Sequence, residues 1–258
     1  MRSLASQPVK KLIPTSLLRR YHAYKYARYR KGSPFAEKEI GETFDRIYRA
    51  NHWDSEESVS GPGSDRGQTE RIRAGLRGII DRYGVRTLLD VPCGDFNWMR
   101  HADLRGVSYL GGDIVAALVE RNRQRFGRDG VAFTRIDLTA DPLPRSDLVF
   151  CRDCLVHLSY ENVFKALRNI KASGSRYLLT TSFSATPVNY DIVTGDWRAL
   201  NLNRAPFHLP APIAVVEEDH AGVQAEYPDK VMMLWPVERI PDFDVPSTGA
   251  LLERPARR

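Results

Sequence analysis

Residues 88–99 read LLDVPCGDFNWM, and how this stretch is parsed decides the fold. Leu88, Leu89 and Val91 form a short apolar run after Gly84, and Pro92 and Gly94 break it, so a buried strand is expected to end near Val91 or Pro92. A helix is expected to follow, capped by Asp95 or Asn97, with Trp98 and Met99 opening its buried face. A strand, a tight turn and a helix N-terminus leave backbone N–H groups and a positive dipole end at the carboxyl edge of a sheet, a geometry suited to anions. Glycine is needed only where a ligand touches backbone, and Gly94 is the one retained.

Outward from this stretch, strand and helix alternate. RTLLDV, VSYLGGD, VAFTRID, DLVFCRD and RYLLTTSF read as strands, and VAALVERNRQRF and YENVFKALRNIKAS as helices. Such alternation implies a parallel sheet with helices on both faces. The last candidate strands, IAVVEED and DKVMMLWPV, are separated by a turn-rich stretch and read as an antiparallel hairpin. The expected fold class is therefore α/β, a doubly wound, seven-stranded, mostly parallel sheet ending in a hairpin. On the N-terminal side, FAEKEIGETFDRIYRANHW has helical spacing through Phe35, Ile40, Phe44, Ile47 and Tyr48, and a second helix runs from about Gln68 to Tyr83. The Ser- and Gly-rich segment between them can close one side of a cleft or serve as a linker.

Organisation follows: a basic Tyr/Arg-rich extension over 1–33, a helical cap over 34–84, the sheet domain over 85–240 with a long polar loop at 184–212, and a tail over 241–258. The chain has 258 residues and a net charge of +6, but residues 1–32 hold nine Lys or Arg and no acid, which leaves the remainder at −3. The body is thus not a nucleic-acid-like domain. The extension, with Tyr21, Tyr24, Tyr26 and Tyr29 among its charges, suits an anionic membrane surface, RNA or an acidic partner. No run is apolar enough to span a membrane, LIPTSLL lacks the features of a secretory signal, and three cysteines without framework spacing suit a reducing compartment. The expected location is the cytoplasm, with peripheral attachment at the inner membrane face as one use of the extension.

An open α/β sheet binds its ligand outside the carboxyl ends of its strands. Those ends carry Asp90 to Gly94, Asp113, Asp137, and Arg152 with Asp153. Asp113 follows Asp90 by 23 residues, a spacing at which an acid reaches ribose hydroxyls of a nucleoside whose charged end lies on the first turn. These residues alone leave NAD, flavin and S-adenosylmethionine open.

In order and spacing, LLDVPCGDFNWM, YLGGDIV and FTRIDLTADPLPRSDLVFCRDCLVHL resemble the first, ribose-binding, third and fourth motifs of the class I S-adenosylmethionine-dependent methyltransferases. The resemblance covers about residues 85–183 and implies a Rossmann-like methylating enzyme that binds S-adenosylmethionine. It implies that Asp113 holds the ribose, that Asp137 and Leu138 lie against the adenine, and that the turn through Pro92, Cys93 and Gly94 passes the methionyl end, with Asp90, Asp95, Ile114 and Arg152 also among the cofactor contacts. The first motif departs from the family at Pro92 and Phe96, where glycines are usual. Pro92 cannot donate a hydrogen bond and Phe96 must point away, while Asp95 can favour the cationic ligand or cap a helix.

Asp153 and His157, just past the fourth strand, are the expected catalytic pair, one taking a hydroxyl proton and the other orienting it. Packed helix residues would leave the same trace. In the 184–212 loop, Tyr190, Trp197, Asn201 and Arg204 are the expected substrate contacts for a glycan-like or small polar acceptor. No metal site is expected, although Cys93, Cys151, Cys154 and His157 raise a weak zinc reading. The alternatives are an RNA-modifying methyltransferase and a cofactor-binding module without catalysis.

Overall fold

The computed structural model describes residues 14–36, 38–218 and 226–243. Residues 1–13 of the basic extension, the turn between the last two strands and most of the C-terminal tail lie outside the described residues. Seven strands form one sheet: β1 (Thr87–Asp90), β2 (Ser108–Asp113), β3 (Val131–Arg135), β4 (Leu148–Cys151), β5 (Tyr177–Phe183), β6 (Ala214–Glu217) and β7 (Lys230–Pro236). Their order is β3-β2-β1-β4-β5-β7-β6. The first five are parallel, and β7 runs antiparallel between β5 and β6. The order reverses between β1 and β4, so the carboxyl ends of those two strands flank the crevice.

Period-two alternation separates the core into two layers. Leu88, Leu148 and Phe150 face one way, against Ile72, Leu76, Ile79 and Ile80 of helix α3 (Glu70–Tyr83). Leu89, Val149 and Cys151 face the other way, against Val163, Phe164, Leu167 and Ile170 of helix α5 (Tyr160–Ala172). Every residue of β4 is buried, as a central strand covered on both faces requires. Helix α3 stops where Gly84 turns left-handed at φ 61°. Ser159 caps α5 by accepting from the Asn162 N–H. Helix α4 (Ala116–Phe126) follows β2, and α1 (Thr15–Tyr29) and α2 (Ile40–Arg49) precede the sheet. Among the described residues, no helix is long and apolar enough to cross a membrane.

The expected helix after β1 does not form. Only a single 3-10 turn, Met99–His101, follows the first motif. Phe96 adopts φ 58° and buries its ring among Tyr109, Phe126 and Phe133. The Asp95 carboxylate accepts from the Ser58 hydroxyl and the Val59 N–H, as well as from the Asn97 N–H. Long-range bonds to 55–66 thus replace the helix that local signals suggest. The earlier helix also starts later than its apolar spacing suggests, at Ile40, leaving Phe35 buried ahead of it.

Candidate active site

A cleft of about 1180 Å³, including the solvent at its mouth, opens at the carboxyl edge of the sheet. All ten expected cofactor residues line it: Asp90, Pro92, Cys93, Gly94, Asp95, Asp113, Ile114, Asp137, Leu138 and Arg152. So do Asp153 and His157. Helix α2 forms a further wall through Ile40, Phe44, Ile47 and Tyr48, and Trp53, Val59, Ser60 and Ser64 continue it. Sequence reasoning did not assign Phe44, Tyr48 or Trp53 to the site; its one signal there was the apolar helical spacing of 40–48.

The carboxyl ends of β1 and β2 carry two buried acids. Asp113 accepts from the Gly94 and Val115 N–H groups at 3.1 and 3.0 Å. Asp90 accepts from the Tyr109 hydroxyl at 2.6 Å. Burial raises Asp113 to about 6, against those backbone donors, and raises Asp90 to about 8, against the Tyr109 bond. Neither forms an ion pair among the described residues. Asp90 is therefore largely protonated at neutral pH, and Asp113 is the ionised carboxylate held in the cleft without an ion pair among the described residues, a place that favours a hydroxyl-bearing or positively charged ligand. Gly94 has φ 53°, and a Cβ there would lie 2.2 Å from Ser60 Oγ. The turn therefore has room for backbone only, with the 58–64 segment laid directly over it.

Just past β4, Arg152 and Asp153 are already engaged in a buried ionic cluster. Arg152 pairs with the fully buried Glu218 and donates to the Gly63 carbonyl at 3.0 Å. Lys230, at the start of β7, lies 2.7 Å from Asp153 and 3.2 Å from Glu218. Burial alone would raise Asp153, but Lys230 and Arg152 outweigh it and hold the carboxyl well below its usual range. Asp153 also takes the left-handed φ of 51°, a strained position for a non-glycine residue.

His157 belongs to a short 3-10 turn, Leu155–His157, rather than to a helix shared with Asp153. Its Nδ1 lies 2.9 Å from the main-chain oxygen of Asp196. A carbonyl only accepts, so the neutral ring carries its proton on Nδ1 and its lone pair on Nε2. Burial lowers the ring to about 4, opposed by the Asp196 bond. The Trp53 ring packs on it, with centroids 4.4 Å apart and planes at 42°.

The four expected substrate contacts do not line the cleft. Tyr190 stacks on His22 of α1 at 4.2 Å. Trp197 rests on Phe183 and Tyr227. Asn201 is buried and donates to the carbonyls of Ser184 and Thr186. Arg204 is exposed, its carbonyl accepting from Phe207 and His208. A polar loop folded back on itself spends its side chains on backbone groups that strands would otherwise satisfy. The basic extension is likewise not separate over its described part, since Leu18 is buried and the Tyr29 hydroxyl reaches Asp196 Oδ1 at 3.4 Å.

A protein-family description, "methyltransferase domain", matches residues 89–175. No curated protein matches the chain in sequence. Among solved structures, the Burkholderia thailandensis 1,6-didemethyltoxoflavin-N1-methyltransferase with bound 1,6-didemethyltoxoflavin and S-adenosylhomocysteine is similar. It shares 16% identity over 76% of this chain and 85% of that one, with a TM-score of 0.55. PigF with S-adenosylhomocysteine shares 16% identity over 81% of this chain and 65% of that one, with a TM-score of 0.54. Residues 89–175 thus match a methyltransferase domain, and the sheet that holds them has the Rossmann-like methyltransferase fold.

Proposed function

We propose that the protein transfers a methyl group from S-adenosylmethionine to a hydroxyl of a small acceptor held at the end of β4. The observation that carries this reading is the placement, in one cleft, of the buried Asp113, which has no ion pair among the described residues, together with a neutral histidine whose Nε2 holds a lone pair. Asp113 would hold the ribose hydroxyls, Ile114 and Leu138 the adenine faces, and Asp90, giving up its proton on binding, the ammonium. Bound S-adenosylmethionine supplies a methyl group whose bond to a cationic sulfur breaks with the electron pair left on sulfur. As the acceptor oxygen takes the methyl carbon, its proton passes to His157 Nε2, and the imidazolium then releases it to solvent. Asp153, fixed as a carboxylate by Lys230 and Arg152, is too weak a base for this step and instead favours the transient imidazolium.

The glycan-like acceptor rested on Tyr190, Trp197, Asn201 and Arg204, which lie outside the cleft lining, so the reading kept here is a small acceptor. The Burkholderia protein is named for transfer to N1, which makes nitrogen the alternative acceptor atom. On α1, Leu17, Tyr21 and Tyr24 are exposed beside Lys25 and Arg28. An anionic membrane or RNA would rest there, and salt-dependent vesicle and RNA binding tests that. The chemistry is tested by following labelled methyl from S-adenosylmethionine into an acceptor. His157→Gln should lower turnover by about 10²–10⁴-fold at unchanged S-adenosylhomocysteine affinity, and full activity in that variant would remove the base from the mechanism.

A further inference from the structure

The acceptor end of the cleft differs in kind from the nucleoside end. Around His157 and Arg152 the lining is aromatic, with Trp53 and Trp98. Trp53 is held at its ring by His157 and at the root of its side chain by Gly61, which, at φ 91°, lies so close that an added Cβ would sit 2.9 Å from the Trp53 Cβ. Trp98 carries the Arg152 guanidinium 5.5 Å from its ring centre.

The charges at this end are all spoken for. Arg152 and Lys230 are matched by Glu218 and Asp153, and the Asp95 oxygens by Ser58 and Val59. A carboxylate or phosphate on the acceptor would have to draw a cation from the buried network, and an ammonium would have to draw a carboxylate from it. Either exchange exposes an unpaired charge in a desolvated site. A sugar fares little better, because its many hydroxyls need fixed polar partners. Of the serines here, Ser60 Oγ already faces the Asp95 N–H, at 3.4 Å. What such walls favour is a flat apolar face and a single proton-bearing group next to His157.

From this juxtaposition of packed aromatic rings with a charge-neutralised floor, we infer that the acceptor is an uncharged planar aromatic molecule bearing a hydroxyl, stacked on Trp53 with that hydroxyl at His157. The inference rests on the methyltransferase reading above. The chemistry balances as before: the phenolic O–H gives its proton to Nε2 and gains the methyl carbon. Trp53 acts as the specificity-determining face.

One scaffold with different charges provides the test. S-adenosylhomocysteine is titrated first by calorimetry, and at saturation 2-naphthol, 2-naphthoate, 2-naphthylmethylammonium and methyl glucoside are titrated into the full chain. Naphthol should bind at least about tenfold more tightly than either charged analogue or the glucoside. Trp53→Ala should weaken it by about 3–10-fold, whereas Trp53→Phe and Trp197→Ala should change it by less than about threefold. Tightest binding by a charged analogue or by the glucoside, no naphthol binding, or loss through Trp197→Ala but not through the Trp53 variants overturns the inference. Failure of S-adenosylhomocysteine to bind in the first titration instead overturns the methyltransferase reading.

Discussion

The Nδ1 of His157 lies 2.9 Å from the main-chain oxygen of Asp196, a residue 39 positions along the chain in the loop that follows β5. This contact fixes which ring nitrogen holds the proton, and burial keeps the ring neutral down to about pH 4. An unburied histidine titrates near 6.5. Turnover at saturating cofactor should therefore stay flat from about pH 8 to pH 5 and fall only on approaching 4, as a pH–rate profile will show. An acid limb near 6.5 would mean that His157 is not the base or is not held this way. Stability carries the same sign. Between the two values the unfolded chain binds a proton that the folded chain does not, so this group makes the fold less stable as pH falls from about 6.5 toward 4.

Glu218, fully buried, faces both Arg152 and Lys230. Removing one partner from a buried ionic cluster leaves an uncompensated charge, which costs about 3–5 kcal/mol. Glu218→Gln should lower the urea midpoint by a corresponding amount. Replacing Glu218 and Lys230 together with methionine should recover part of that loss, because it removes charges of both signs. An unchanged midpoint in the single variant would show that the cluster is solvated in solution.

The described part of the basic extension touches the loop that positions His157. His22 stacks on Tyr190, and the Tyr29 hydroxyl reaches Asp196. Removing residues 1–32 should accordingly lower both the melting temperature and turnover, and Tyr29→Phe should lower turnover by a smaller factor at unchanged cofactor affinity. Full activity and an unchanged melting temperature in the truncated protein would limit the extension to attachment.

The sheet was legible because its signals are local and repeated. Each strand is a short apolar run with a breaker after it, and the acids at Asp90, Asp113 and Asp137 fall at strand ends whatever the tertiary detail. The first motif was legible only in part. Local capping rules predict a helix after Gly94, whereas Asp95 is claimed by Ser58 and Val59, some 36 residues earlier. No local rule sees a partner at that distance. The loop at 184–212 misled for a related reason. Polar and aromatic side chains in a long loop look like a binding surface, yet the Asn189 side chain is spent on the Asn201 backbone, its amide donating to the Asn201 carbonyl and its oxygen accepting from the Asn201 N–H. Conversely, Trp53 and Tyr48 look like ordinary helix-face residues until α2 is seen to wall the cleft. The buried ionic partner of Arg152 was invisible because Glu218 and its second cation, Lys230, come together only when the hairpin closes the sheet.

The most direct test of the account is a calorimetric titration of S-adenosylmethionine and, separately, NAD into the full chain and into Asp113→Asn. The account predicts that S-adenosylmethionine binds and NAD does not, and that Asp113→Asn weakens S-adenosylmethionine by about 10–100-fold through loss of charge-assisted ribose bonds. Binding of NAD without S-adenosylmethionine, or an Asp113→Asn affinity equal to that of the parent, would contradict it.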